Sequence, residues 1–240
     1  MHKFAIVAIS GLAISAVSLG IAGSMAARSG KVGLDLSWFD DLESCKTTNA
    51  TANSRQFNWD SGDEVTVKVP VNLHFKPGQG TQVKISGDPN LISHVKIDDG
   101  VISLNCNPHH WNHQRLDVTL PGNKTFREIN VKGVANVDLQ DINQPELEIA
   151  AAGSADVSAT GKTDNLKLDI AGRADVHAKD LIAKKVEINV AGRGDVETSP
   201  QDSADISIAG SGNVKLYSEP KHIETSIMGS GNIEHLAPKG

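Results

Sequence analysis

The chain has 240 residues, of which 39% are hydrophobic and only 4% aromatic, with 22 glycines; this balance suits short strands and tight turns and argues against a helical bundle. Its formal net charge of -6 comes from acids and bases scattered among one another. No basic stripe is left to neutralise a phosphate backbone, so nucleic acid is excluded as a partner.

In chain order the first feature is "MHK", followed by an uncharged stretch from Phe4 to Ala27 that closes on "AGSMAA". That is the layout of a secretory signal, assigned to residues 1–26, with cleavage before Ala27 or before Met25. An uncleaved segment of this length can also span a bilayer, which would be the protein's one membrane contact. Residues 27–56 are small and polar and read as a leader, with one short helical turn in "SWFDDLES". Cys45 and Cys106 are the only cysteines, and in an exported chain an even pair is expected to form a disulfide that pins the leader to the domain.

From about residue 57 the stretches "EVTVKVPVNLHF", "TQVKISG", "HVKID", "VISLNC" and "QRLDVTLPG" alternate apolar with polar residues and are separated by Gly, Pro and Asp. They read as strands that cap and begin the main domain, residues 57–240. Between them "CNPHHWNHQ" gathers His109, His110 and His113 beside Cys106. Imidazoles so spaced can bind zinc or copper, but a closed site needs four ligands and no second cluster is evident, so a polar loop is the competing reading. No cofactor is called for.

The second half is periodic. "GVANV" begins at Gly133, "GSADV" at Gly153, "GRADV" at Gly172, "GRGDV" at Gly192, "GSGNV" at Gly210 and "GSGNI" at Gly229, at nearly even steps. Two, four and six positions before the glycines stand apolar rows such as Ile170, Leu168 and Leu166, or Val190, Ile188 and Val186. The residues between are polar, as for strands with one buried face. The pattern predicts an all-β, right-handed parallel β-solenoid with coils of about 19 residues, two strands per coil, each coil stacked on the last. Pro238 and Lys239 would guard its open end.

The glycines are expected to turn the chain at corners, with Asn136, Asp156, Asp175, Asp195, Asn213 and Asn232 accepting turn N–H groups. No helix follows these turns, so they do not make a phosphate cradle. A stacked carboxylate column can hold a cation, yet Asn occupies three of its six levels, which suits turns better than calcium. Arg193-Gly194-Asp195 spells the integrin-binding tripeptide, inside a repeat whose other copies carry Ser or Ala.

"RLDVTLPGNKTFREINVKGVANVDL", the run from "GSADV" to "GSGNV", and "YSEPKHIETSIMGSGNI" together resemble the head GIN domain family, bacterial envelope proteins known as "putative autotransporter adhesin" heads. The resemblance implies an exported β-solenoid with no established catalytic activity. Polysaccharide-cleaving β-helices need a cleft with paired carboxylates and aromatic platforms, whereas this chain has three Trp, one Tyr and five Phe. The expected role is a non-enzymatic, adhesin-like binding or structural protein of the periplasm or outer envelope, or secreted, that takes a protein or glycan ligand. The alternatives are a glycan-active enzyme and a self-assembling envelope scaffold.

Overall fold

The structure, a computed structural model, describes residues 44–45, 50–107 and 114–236. The signal segment, most of the leader, the three histidines of "CNPHHWNHQ", and Pro238 and Lys239 lie outside the described residues. Among the described residues nine strands and one short helix follow in order: β1 (Ser54–Phe57), β2 (Glu64–Val67), β3 (Val71–Phe75), β4 (Val83–Ser86), α1 (Pro89–Ser93), β5 (Val95–Asp98), β6 (Val101–Leu104), β7 (Leu116–Thr119), β8 (Glu128–Leu216) and β9 (His222–His235). Asp88 caps α1, its side chain accepting from the Asn90 N–H at 2.8 Å, with Pro89 behind it in the first turn, where a missing N–H costs nothing.

Among the described residues the strands join one sheet in the order β1-β4-β7-β3-β8-β2-β6-β5, with β9 paired to β8. The sheet is mixed: β1/β4, β4/β7 and β5/β6 are antiparallel, while β2/β6, β2/β8, β3/β7, β3/β8 and β8/β9 are parallel. It curls into a nearly closed barrel with one seam. The expectation of a right-handed parallel β-solenoid is therefore corrected; only its all-β character holds.

The physical reason lies upstream of the glycine period. Asp99 and Gly100, between β5 and β6, have φ of 44° and 75°. Two consecutive positive φ values make the tight turn that reverses a strand onto its neighbour, as Asp-Gly pairs do. The result is an antiparallel hairpin pairing Asp98 with Val101. Nor do the later glycines break the chain into separate strands, because β8 runs uninterrupted for 89 residues.

A straight strand of that length would extend roughly 290 Å. Instead β8 doubles back beside itself, so that contacts recur one repeat apart, among them Lys167 Nζ to Glu148 Oε1 at 2.9 Å and Asn213 Nδ2 to Asp195 Oδ1 at 2.7 Å. The apolar rows turn inward: Leu166, Leu168, Ile170, Val186, Ile188 and Val190 are all buried. At the N-terminal end Phe126 packs edge-on against both Trp59 and Phe75, with ring centroids 5.3 and 5.2 Å apart. Trp59 also donates its indole N–H to the Gly62 carbonyl at 2.8 Å, which satisfies the one polar atom such a ring brings into a core.

The Cys45–Cys106 disulfide is present, with its Cα atoms 4.8 Å apart and a sequence separation of 61. Ser44 bridges Asn107 in parallel beside it, and the Cys45 N–H donates to the Asn107 carbonyl at 3.0 Å. The bridge thus fastens residues 44 and 45 to the strand end after β6.

Candidate functional site

Gly133, Gly153, Gly172, Gly192, Gly210 and Gly229 all have φ between 123° and 138°, a region that a side chain makes costly. From Gly153 onward they also lie over one another. A Cβ placed on Gly172 would come 2.3 Å from the Gly153 carbonyl oxygen, and one on Gly192 the same distance from that of Gly172. The column is thus backbone packed on backbone.

Three positions after each glycine stand Asn136, Asp156, Asp175, Asp195, Asn213 and Asn232, all solvent-exposed. Some of them bond along the column. Asn213 donates its backbone N–H and its side-chain amide to Asp195 Oδ1, at 3.2 and 2.7 Å, and Asn136 donates to Asn72 Oδ1 at 3.1 Å. An amide level can donate to the level beside it, as Asn213 does to Asp195, which a carboxylate level cannot do.

Two positions further on is a column the glycine motif does not advertise: His177, Glu197, Lys215 and Glu234. In it the ammonium of Lys215 stands between the carboxylates of Glu197 and Glu234. Glu197 accepts from Lys215 Nζ at 3.4 Å and from the Tyr217 hydroxyl at 3.3 Å, and lies 3.4 Å from His177 Nδ1. Partial burial works to raise the Glu197 carboxyl, but its hydrogen bonds to His177 and Lys215 outweigh this and hold it below the ordinary carboxylate range. Lys215 is raised in turn, first by its hydrogen bond to Glu197 and then by that residue's charge.

The two columns line one open groove of about 430 Å³ on the outer face, formed by Asp175, His177, Asp195, Glu197, Asn213, Lys215, Asn232 and Glu234 around Val196. Its floor is fixed by the sheet. What it offers a ligand is carboxylate and amide acceptors, an imidazole and an ammonium, at heights set by the strand spacing of about 4.8 Å. The later column could have been found by asking which residue follows the inward Val or Ile of each motif; the pairs Val176-His177, Val196-Glu197, Val214-Lys215 and Ile233-Glu234 answer it.

Before the glycines lies a third column. Lys167 bridges Glu148 and Asp169, each at 2.9 Å; burial alone would lower its ammonium, but hydrogen bonds to Asp169 and Glu148 raise it well above its usual range. Asn189 donates to Asp169 and to Glu187, both at 2.9 Å. Asp205 stands between Glu187 and Glu224, and burial, then those two charges, push its carboxyl up. Among the described residues no group of three or more His, Cys, Asp or Glu side chains is placed to hold a metal ion.

Residues 63–220 match the family model described as "Putative auto-transporter adhesin, head GIN domain". A crystal structure of a "putative adhesin" from Bacteroides fragilis, 19% identical, superposes with a TM-score of 0.54 over 76% of this chain and 95% of that chain, and so shares the fold. A "putative lipid binding protein" from Parabacteroides distasonis is 19% identical over 78% of this chain and 98% of its own, with a TM-score of 0.43. A "putative adhesin" from Parabacteroides merdae is 18% identical over 76% and 95%, also with a TM-score of 0.43. No curated protein matches the chain.

Proposed function

Since the chain belongs to the family of the "putative auto-transporter adhesin, head GIN domain", we propose that it is an exported, non-catalytic binding module of the bacterial cell envelope, with the polar groove on its outer face as the ligand site. The supporting observation is the groove's internal pairing. Glu197 is held by His177, Lys215 and Tyr217, and Asp195 by Asn213. Carboxylates so paired are poised to be hydrogen-bond acceptors of fixed position, a role that suits recognition of a hydroxyl-rich or amide-rich surface such as a glycan or a protein.

Export is supported by the apolar segment over residues 1–26 and by the Cys45–Cys106 bridge, since disulfides persist in oxidising compartments. The domain is taken as residues 57–240, preceded by a leader over 27–56 whose last residues join the sheet as the start of β1.

The test is binding of the purified protein to glycan arrays and to isolated envelope and host-cell surfaces, repeated with Glu197→Gln and Lys215→Met. Saturable binding that weakens about tenfold or more in either variant is expected, the loss of one charged hydrogen bond being worth roughly 1.5–3 kcal/mol. Binding untouched by both variants would remove the groove from the reading. Release of sugar from any glycan by the wild-type protein would overturn the non-catalytic assignment.

A further inference from the structure

β9 is the last strand of the sheet, and among the described residues it pairs on one side only, matching His222–His235 to Ser203–Leu216 of β8 in parallel. The first arm of its inward row is uncovered, while Ile233 in the second packs partly against the core. Ile208 is 2% exposed, whereas Ile227, its partner in register on β9, is 41% exposed, and the neighbouring Met228 is 54% exposed. A free edge of 14 residues carrying apolar side chains is a template for another strand.

We propose that β9 is a self-association edge on which a second copy of this chain pairs, β9 to β9 and antiparallel, about a two-fold axis through Met228. Three observations select this occupant. The first is length: the ends of the sheet path, β1 and β5, offer only four residues each, so among the described residues only another β9 matches the whole edge, and head-to-tail stacking leaves most of it bare.

The second is polar matching. In this register His222 stands opposite Glu234, and Glu234 opposite His222, at both ends of the pair, while Ile223 meets Ile233 and Glu224 meets Asn232. Nowhere within β9 do like charges face each other. The third is the glycine corner. Gly229, with φ of 123°, lies beside the axis, so the arms of the strand on either side of it can lie over their counterparts. A contact of this kind is self-complementary and closes at two copies.

Sedimentation equilibrium of the protein purified after expression of the full chain tests this. A monomer–dimer equilibrium is expected, shifted to monomer by Met228→Lys, which sets two cations on the axis at a position exposed in the single chain. His222→Glu and Glu234→Lys are each expected to weaken the dimer roughly tenfold, from two altered cross-strand pairs per dimer, and the double variant to restore it. Restoration distinguishes this register from any other use of the edge, and circular dichroism of each variant reports retention of the fold. A monomer at every concentration, an open series of larger species, or a double variant no tighter than the single ones would overturn the proposal.

Discussion

At the scale of single residues, the glycine column makes a graded prediction. Gly62 has open space around its missing Cβ; Gly133 has open space but a φ of 134°; Gly172 has a φ of 131° and the Gly153 carbonyl oxygen 2.3 Å from where a Cβ would stand. Alanine at these three sites should cost nearly nothing, about 1–2 kcal/mol, and at least ~3 kcal/mol respectively, read from urea midpoints. Equal costs at 133 and 172 would show that the stacking contributes nothing. A second residue-scale effect concerns Asp205, whose folded carboxyl is pushed up by burial, Glu187 and Glu224. A raised carboxyl costs the folded state stability above its folded pKa, and that cost disappears as pH falls through it to the unfolded value. Asp205→Asn should therefore raise the melting temperature by roughly 1–2 °C at neutral pH, the effect being kept small by solvent screening, and leave it unchanged at about pH 3. A gain that persisted in acid would point to packing.

At the scale of elements, the disulfide sets the largest single expectation. It joins cysteines with a sequence separation of 61, and on the chain-entropy account closing such a loop is worth about 4 kcal/mol. Reduction, or the Cys45→Ala/Cys106→Ala pair, should lower stability by up to this amount while leaving the circular dichroism of the sheet intact; loss of the β signal as well would mean that β5 and β6 depend on the bridge to form. The strands themselves were largely readable, because alternation reports which face is buried wherever one face meets a core. Direction was not. "DDGV" carried the signal for reversal in its Asp-Gly pair, but the glycine period downstream argued for parallel pairing throughout, and the local turn chemistry of Asp99 and Gly100 prevailed.

At the scale of the whole molecule, the period of the glycine motif matches the spacing at which residues meet along β8, as where Gly172 lies over Gly153. It did not foretell how β8 joins the upstream strands. That depends on pairings between distant parts of the chain, such as Val65 with Ile129 and Leu73 with Val137, which no local pattern reports. Nor did it single out His177, Glu197 and Lys215, because their types differ at every level and only their shared height makes them a site. The groove reading therefore stands or falls on position: exchanging Glu197 and Lys215 should keep the ion pair and the fold, yet abolish ligand binding, as judged by the array that first detects it. The same distant pairings bear on the order in which the molecule can assemble. Synthesis delivers β2 and β3 well before their partners in β8, so a growing chain holds these strands with one edge unmatched for about 3–13 s at ordinary elongation speeds. The β8 levels, each a single repeat from the next, close quickly once made. On these separations the late half is expected to close first and to serve as the surface on which the early half docks.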